Sequence, residues 1–140
     1  MVSKIDHLGI LVDDIDRNRT LFERLGLEVG AVERVPAFGV EIAFIKVGES
    51  LVELVEPVDP DSGLAADLET ATRSAVLHHV AFRVDDLEEQ LAALHTAGVP
   101  LADEVPRQGA GDASVAFLER RAANGVRIEL VERPTGSPLR

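Results

Sequence analysis

The chain has 140 residues, 46% of them hydrophobic, and a formal net charge of −11 at pH 7. This length is typical of one compact domain, and the negative charge argues against nucleic-acid binding, which needs clustered Lys and Arg. The absence of cysteine excludes disulfides, thiolate metal ligands and cysteine nucleophiles. No apolar run is long enough to span a bilayer and the N-terminus lacks a secretory pattern, so we expect a cytoplasmic protein that does not bind membranes.

The first half of the chain predicts a strand, a helix and three further strands. The apolar run over residues 5–12 is typical of a strand, and Asp14 stands where the N-cap of a following helix belongs. Gly26 is expected to end that helix, because glycine is favoured just after a helix terminus. The remaining strands, with a hairpin turn at Gly48 and Glu49 between the last two, are predicted over residues 27–32, 40–47 and 50–56.

A linker of about residues 58–75, with one short helix predicted after Ser62, leads into the second half. There the same order of elements recurs. A strand over residues 77–84 is followed by Asp86 and Glu89, which form a capping-box pattern for a helix over residues 87–96. Gly98 is expected to end this helix, and the last three strands are predicted over residues 99–104, 114–118 and 126–132.

The two halves are copies of one pattern, as a comparison of the chain with itself indicates. At an offset of 72, which grows to 76 through insertions in the second copy, the matching residues are His7 with His79, Val12–Asp14 with Val84–Asp86, Gly26 with Gly98, and Glu53–Glu56 with Glu129–Glu132. The sequence therefore predicts an α+β fold within a single domain, residues 1–140. Two tandem βαβββ modules, about residues 4–57 and 76–133, are expected to pair into a curved mixed sheet around a metal cleft.

Strand alternation selects the candidate metal ligands. Successive side chains of a strand point to opposite faces of the sheet. Because the apolar residues of each strand pack under the helix, His7 and Glu53 of the first copy lie on the face away from the helix. His79 and Glu129 take the same positions in the second copy, whereas His78 belongs to the packed side or to the strand entrance. A single outward His or Glu is usually only solvated or hydrogen-bonded, but recurrence at matched positions favours a metal site. The two imidazoles and two carboxylates suit Co²⁺, Ni²⁺, Mn²⁺, Fe²⁺ or Zn²⁺ without choosing among them, and leave positions open for substrate oxygens.

Several stretches carry a resemblance to a known family. They are "IDHLGILVDDID", "VELVEPVDPDSGLAADLE", "LHHVAFRVDDLE", "DEVPRQGAGDASVAFL" and "GVRIELVE". In these stretches the chain resembles the vicinal oxygen chelate (glyoxalase/bleomycin resistance/dioxygenase) superfamily, and within it most resembles methylmalonyl-CoA epimerases. The resemblance implies a divalent metal bound by His7, Glu53, His79 and Glu129, and an acyl-CoA substrate whose C2 epimers interconvert through an enolate.

The resemblance is weaker for the acid–base groups. Ala37 and Phe38 stand where epimerases commonly carry an acidic residue and a glutamine, and Ile42 stands where some carry a glutamate. Glu129, as a displaceable ligand, is one candidate base. Glu41 is the other, although alternation would aim it at the opposite face.

Two alternatives to an epimerase remain open. One is a glyoxalase I-type lyase acting on a glutathione hemithioacetal, and the other is a member of the superfamily that binds small molecules without catalysis. Arg107 and Gly109, in the stretch "RQGAGD", are candidates for contact with the phosphate or pantetheine arm of CoA; a plain turn with a solvated arginine is the alternative. Two modules in one chain can complete the site alone, but the resemblance also allows a homodimer.

Overall fold

The computed structural model describes residues 1–139, which hold eight β-strands and three α-helices. The chain forms two compact units: the N-terminal unit comprises His7–His78, and the C-terminal unit comprises Met1–Asp6 with the residues from His79 onwards. The strands are β1 Val2–Val12, β2 Val29–Val35, β3 Val40–Val47, β4 Ser50–Pro57, β5 Ala75–Val84, β6 Arg107–Gln108, β7 Ser114–Phe117 and β8 Ile128–Glu132, and the helices are α1 Ile15–Arg24, α2 Gly63–Ala71 and α3 Leu87–Thr96. None of the helices described is long and apolar enough to cross a membrane.

The N-terminal unit has the strand order β2-β3-β4-β1. Strands β1 and β4 are parallel, whereas β3 pairs antiparallel with both β2 and β4. Helix α1 begins after Asp14, whose carboxylate accepts a hydrogen bond from the Arg17 backbone N–H at 3.1 Å, as expected of an N-cap. The helix packs against one face of the sheet, where the buried core residues are Val12, Ile15, Ala43, Ile45 and Leu54.

The C-terminal unit has the matching order β5-β8-β7-β6, with β5 and β8 parallel and the other pairs antiparallel. Helix α3 begins after Asp86, which accepts from the Glu89 backbone N–H at 3.0 Å. Its buried core residues are Val84, Leu87, Leu91, Ala116 and Leu130. Most of these occupy the repeat positions of the N-terminal core, so the predicted fold of two βαβββ modules is confirmed.

Several predicted elements are confirmed in detail. The helix predicted over residues 87–96 is α3, and the strand predicted over residues 40–47 is β3. The short helix expected in the linker is α2, which begins after Ser62; the Ser62 hydroxyl accepts from the Ala65 backbone N–H at 3.1 Å. The capping residues therefore located the helix starts correctly.

The strand predicted over residues 99–104 is wrong. The backbone N–H groups of Ala102 and Asp103 both donate to the Phe117 carbonyl at 3.0 Å, instead of alternating along a ladder. The Asp103 carboxylate accepts from the Phe117 N–H at 2.9 Å, and Pro100 has no N–H to offer. With these contacts, the segment is a loop that has one isolated β-bridge, between Leu101 and Leu118. In its place, the two-residue strand β6 pairs with β7.

Candidate functional site

His7 and Glu53 form a buried pair in the N-terminal unit. His7 lies on β1 and Glu53 on its parallel neighbour β4, with His7 Nδ1 3.1 Å from Glu53 Oε2. The residue of β1 in register with Glu53 is Gly9, so no side chain there separates the carboxylate from the imidazole. The two side chains lie on the face of the sheet opposite the α1 core, as strand alternation requires.

His79 and Glu129 form the equivalent pair in the C-terminal unit. His79 lies on β5 and Glu129 on the parallel strand β8, with His79 Nε2 3.7 Å from Glu129 Oε2. The residue in register with Glu129 is again small, Ala81. The Phe117 ring meets the His79 ring edge to face, at 5.3 Å between centroids and 82° between planes. This contact restricts the rotation of the imidazole.

Both pairs fit two ligands of a divalent cation. Donor atoms that each bind one ion at about 2.1 Å lie about 3.0 Å apart at a right angle and about 3.6 Å apart at 120°. The separations within the pairs are 3.1 and 3.7 Å. The four residues are at most 7% exposed, and a buried carboxylate is costly unless a positive charge or hydrogen bonds compensate it. Each pair thus has the donor types, the burial and the spacing that a bound cation requires.

The Glu-Leu-Val-Glu repeats carry a second function that the sequence reasoning missed. Glu56 Oε1 accepts from the Ile15 backbone N–H at 2.8 Å, and Glu132 Oε1 accepts from the Leu87 N–H at 2.7 Å. These are the first residues of α1 and α3, where backbone N–H groups lack partners within the helix. The odd spacing between the glutamates of each tetrapeptide places them on opposite faces of the sheet. The first glutamate therefore faces the imidazole, and the last binds the helix.

The two adjacent histidines of β5 have different partners. His78 Nε2 lies 2.9 Å from Asp67 Oδ2 on α2, within the N-terminal unit. His79 lies beside Glu129 in the C-terminal unit. The spacing supports the selection of His79 as the candidate ligand, and His78 connects its strand to the linker helix.

Glu41 lies on the wrong face for a role beside Glu53. It is in register with Glu56, on the side that carries the helix-packed core residues Ala43 and Leu54. The neighbours of Glu53 on its own face are Phe44, in direct register, and Ile42. Alternation along β3 is the reason, and Glu41 is therefore not retained as an acid–base candidate.

Arg107 and Gly109 lie at the edge of the C-terminal unit. The register Arg107–Val115–Val131 places Arg107 on the same face as Glu129, with its side chain 40% exposed and Nη1 3.6 Å from Asp103 Oδ1. A Cβ on Gly109 would lie 2.8 Å from Val115 Cγ1, so close packing accounts for this glycine. Contact of either residue with a substrate stays a prediction.

A further group that the sequence reasoning missed is a buried cluster of Asp6, Arg83 and Arg133 in the C-terminal unit. The three residues are at most 5% exposed, and the Asp6 carboxylate accepts hydrogen bonds from both guanidinium groups. One signal in the sequence could have revealed it. Arg83 and Arg133 interrupt the repeat, because the first copy has Leu11 and Pro57 at their positions.

Comparison with known proteins places the chain in a family. Residues 6–117 match the Glyoxalase/Bleomycin resistance protein/Dioxygenase superfamily. The chain is 40% identical to the uncharacterized protein YqjC of Bacillus subtilis, over 94% of this chain and 93% of that protein. It is 31% identical to the ethylmalonyl-CoA/methylmalonyl-CoA epimerase of Cereibacter sphaeroides, over 93% of this chain and 98% of the epimerase.

A solved structure of a similar protein has the same fold as this chain. A variant of Streptomyces coelicolor methylmalonyl-CoA epimerase, in complex with 2-nitronate-propionyl-CoA, superposes with a TM-score of 0.89 at 29% identity and covers 96% of this chain and all of the epimerase chain. The family match and the fold agree, and the predicted resemblance is confirmed. The protein belongs to the Glyoxalase/Bleomycin resistance protein/Dioxygenase superfamily.

Proposed function

We propose that this protein is a metal-dependent epimerase that interconverts the C2 epimers of methylmalonyl-CoA or a similar acyl-CoA. One observation carries the proposal: the same buried His–Glu pair recurs at equivalent positions of the two units, His7 with Glu53 and His79 with Glu129. Similarity to epimerases of methylmalonyl-CoA and ethylmalonyl-CoA supports the choice of substrate class.

The four residues are proposed to bind a single cation. The two pairs together offer two imidazoles and two carboxylates, a donor set that suits one divalent cation and leaves positions open for substrate oxygens. The resemblance to methylmalonyl-CoA epimerases supports a single ion.

The reaction requires the loss and return of one proton at C2 of the acyl group. When bound, the divalent cation supplies Lewis-acid stabilisation of the negative charge that develops on the thioester oxygen. The C–H electron pair moves into the enolate as the proton passes to a carboxylate of the protein. A proton returned to the opposite face of the same carbon gives the other epimer, so neither a redox cofactor nor a covalent intermediate is needed.

Glu129 is the proposed base. Around Glu53 the neighbouring side chains on the same face are apolar, namely Ile42, Phe44 and Val55. Strand β3 therefore supplies no carboxylate beside Glu53 on this face, and we assign proton transfer to the ligand carboxylates themselves. Glu129 lies in register with Phe117, whose ring contacts the His79 imidazole edge to face.

Arg107 is the proposed contact for the anionic part of CoA. It lies on the face that carries Glu129, at the edge strand, and its guanidinium is accessible to solvent. A guanidinium at such an edge can bind a phosphate while the thioester end of the ligand reaches the buried pair. Arg107→Ala should therefore raise the KM for acyl-CoA and leave kcat nearly unchanged.

The test is exchange of the α-proton of methylmalonyl-CoA in deuterated buffer, followed by NMR. The protein loaded with each of Co²⁺, Ni²⁺, Mn²⁺, Fe²⁺ and Zn²⁺ should catalyse exchange with at least one of them, and the chelator-treated protein should not. Glu129→Gln should lower the rate at least about 100-fold, because a positioned base contributes 10² to 10⁴. Glu41→Gln is the matched control and should exchange at the wild-type rate.

The same measurement separates the alternatives. A loaded protein that exchanges no α-proton but converts a glutathione hemithioacetal is a glyoxalase-type lyase. If it binds acyl-CoA and does neither, it is a binding protein of the superfamily. Either result would refute the epimerase proposal.

A further inference from the structure

The buried cluster of Asp6, Arg83 and Arg133 is built around one carboxylate. Asp6 Oδ1 accepts from Arg83 Nε at 2.8 Å, from Arg83 Nη2 at 2.6 Å and from Arg133 Nε at 3.0 Å, and Asp6 Oδ2 accepts from Arg133 Nη2 at 2.8 Å. Arg83 also donates to the Leu139 carbonyl at 2.9 Å, and Arg133 donates to the Ala110 carbonyl at 3.4 Å. Asp6 is fully buried, and four hydrogen bonds from the two guanidinium groups hold its carboxylate.

The cluster is connected to the elements that hold the candidate ligands. Arg83 lies on β5 four residues after His79 and on the same face, since side chains alternate. Arg133 follows β8, four residues after Glu129. Asp6 immediately precedes His7 on β1. One carboxylate thus connects the ends of β5 and β8, the two strands that carry His79 and Glu129.

The repeat indicates that a sheet of this topology can form without these charges. Three buried charges with a net charge of +1 are costly to desolvate, and such clusters can often be replaced by apolar residues without loss of stability. The repeat gives direct evidence, because the positions of Arg83 and Arg133 are occupied by Leu11 and Pro57 in the N-terminal unit, and Leu11 is fully buried there. A sheet of the same topology forms in that unit without a charged cluster.

We infer that Asp6, held by Arg83 and Arg133, is a positioning residue for the proposed metal ligands His79 and Glu129. The inference rests on the proposed metal site. The hydrogen bonds join Arg83, near the end of β5, and Arg133, just after β8, to one buried carboxylate, and so restrain the ends of these two strands. Because a cation tolerates only small changes in donor separation, displaced strands would give a weaker and more irregular site.

The experiment compares binding of Co²⁺ to wild-type protein and to a triple variant, Asp6→Leu with Arg83→Leu and Arg133→Met. Replacing the whole cluster leaves no unpaired buried charge, so this variant should fold even where Asp6→Asn does not. Its Kd for Co²⁺ should rise about 10- to 100-fold, and the visible absorption bands of the bound Co²⁺ should change in position and intensity. Leu91→Ala, which removes a core side chain of the same unit on the helix side, is the control for general destabilisation and should leave the spectrum unchanged.

Two results would overturn the inference in distinguishable ways. If wild-type protein binds no Co²⁺, the metal site fails, and the positioning role fails with it. If wild type and folded triple variant bind Co²⁺ with equal affinity and equal spectra, the metal site stands and the cluster does not position it. A spectrum that changes equally in Leu91→Ala would also refute a specific role, because any loss of stability would then suffice.

Discussion

Removal of the Glu132 side chain should destabilise the protein without affecting the metal site. In wild type, the Glu132 carboxylate accepts from the Leu87 N–H at 2.7 Å, at the first turn of α3. A hydrogen bond to a charged group contributes about 1.5–3 kcal/mol. The interaction of the Glu132 carboxylate with the helix dipole adds a free energy at the low end of the usual range, because Glu88 and Glu89 already place negative charge in that turn. Glu132→Ala should therefore cost about 2 kcal/mol, which for a chain of this size lowers Tm by roughly 6–8 °C.

The assay is urea unfolding of chelator-treated protein, followed by a Co²⁺ titration of the folded protein. Glu132→Ala should shift the unfolding midpoint and leave the Kd for Co²⁺ unchanged. Glu129→Ala, three residues earlier on the opposite face, should do the reverse, with a large loss of Co²⁺ binding and a smaller loss of stability than Glu132→Ala, because the buried Glu129 carboxylate is itself costly in the metal-free protein. Equal effects of the two variants on both measurements would refute the assignment of the tetrapeptide glutamates to opposite faces.

Further predictions concern the histidines, pH and one turn. His79→Ala should lower metal occupancy sharply, measured by elemental analysis after dialysis, whereas His78→Ala should lower it much less; equal losses would contradict the ligand choice. Metal affinity should fall as pH drops below about 6.5, because the histidines bind as neutral imidazoles and protonation competes with the metal; a Kd that is constant from pH 5 to 8 would exclude them as ligands. Gly39→Ala should destabilise the fold by about 1–3 kcal/mol in urea unfolding, since Gly39 has φ +63° and an added Cβ would lie 2.7 Å from Asp59 Cβ; a wild-type midpoint would refute this.

The repeat allowed candidate metal ligands to be selected from the sequence. Hydrophobic alternation shows which face each strand residue occupies, and duplication shows which outward residues recur, so His7, Glu53, His79 and Glu129 could be selected without coordinates. Local capping rules likewise placed the starts of α2 and α3. The strand predicted over residues 99–104 failed because β-propensity carries no information about two N–H groups that converge on one carbonyl.

The cluster of Asp6 with Arg83 and Arg133 could not be predicted in the same way. Asp6 and Arg133 are 127 positions apart in the chain, and their contact depends on how the first residues of β1 join the C-terminal unit. The Glu132 contact with Leu87 is also non-local. Pattern rules describe neighbours along one element, whereas these contacts depend on the pairing of elements.

Residues of β1 belong to both units, and this limits where the polypeptide can be split into two fragments. A break in the linker, for example after Arg73, would leave the C-terminal fragment with Arg83 and Arg133 but without Asp6, so two guanidinium groups would be buried with no counter-charge. The N-terminal fragment would keep Asp6 and lose residues 74–78, including the His78 partner of Asp67. The C-terminal fragment should therefore not fold alone, whereas expression together with the N-terminal fragment supplies Asp6 and should restore its folding, measured by urea unfolding. The second half of the sequence thus depends on the first six residues of the chain.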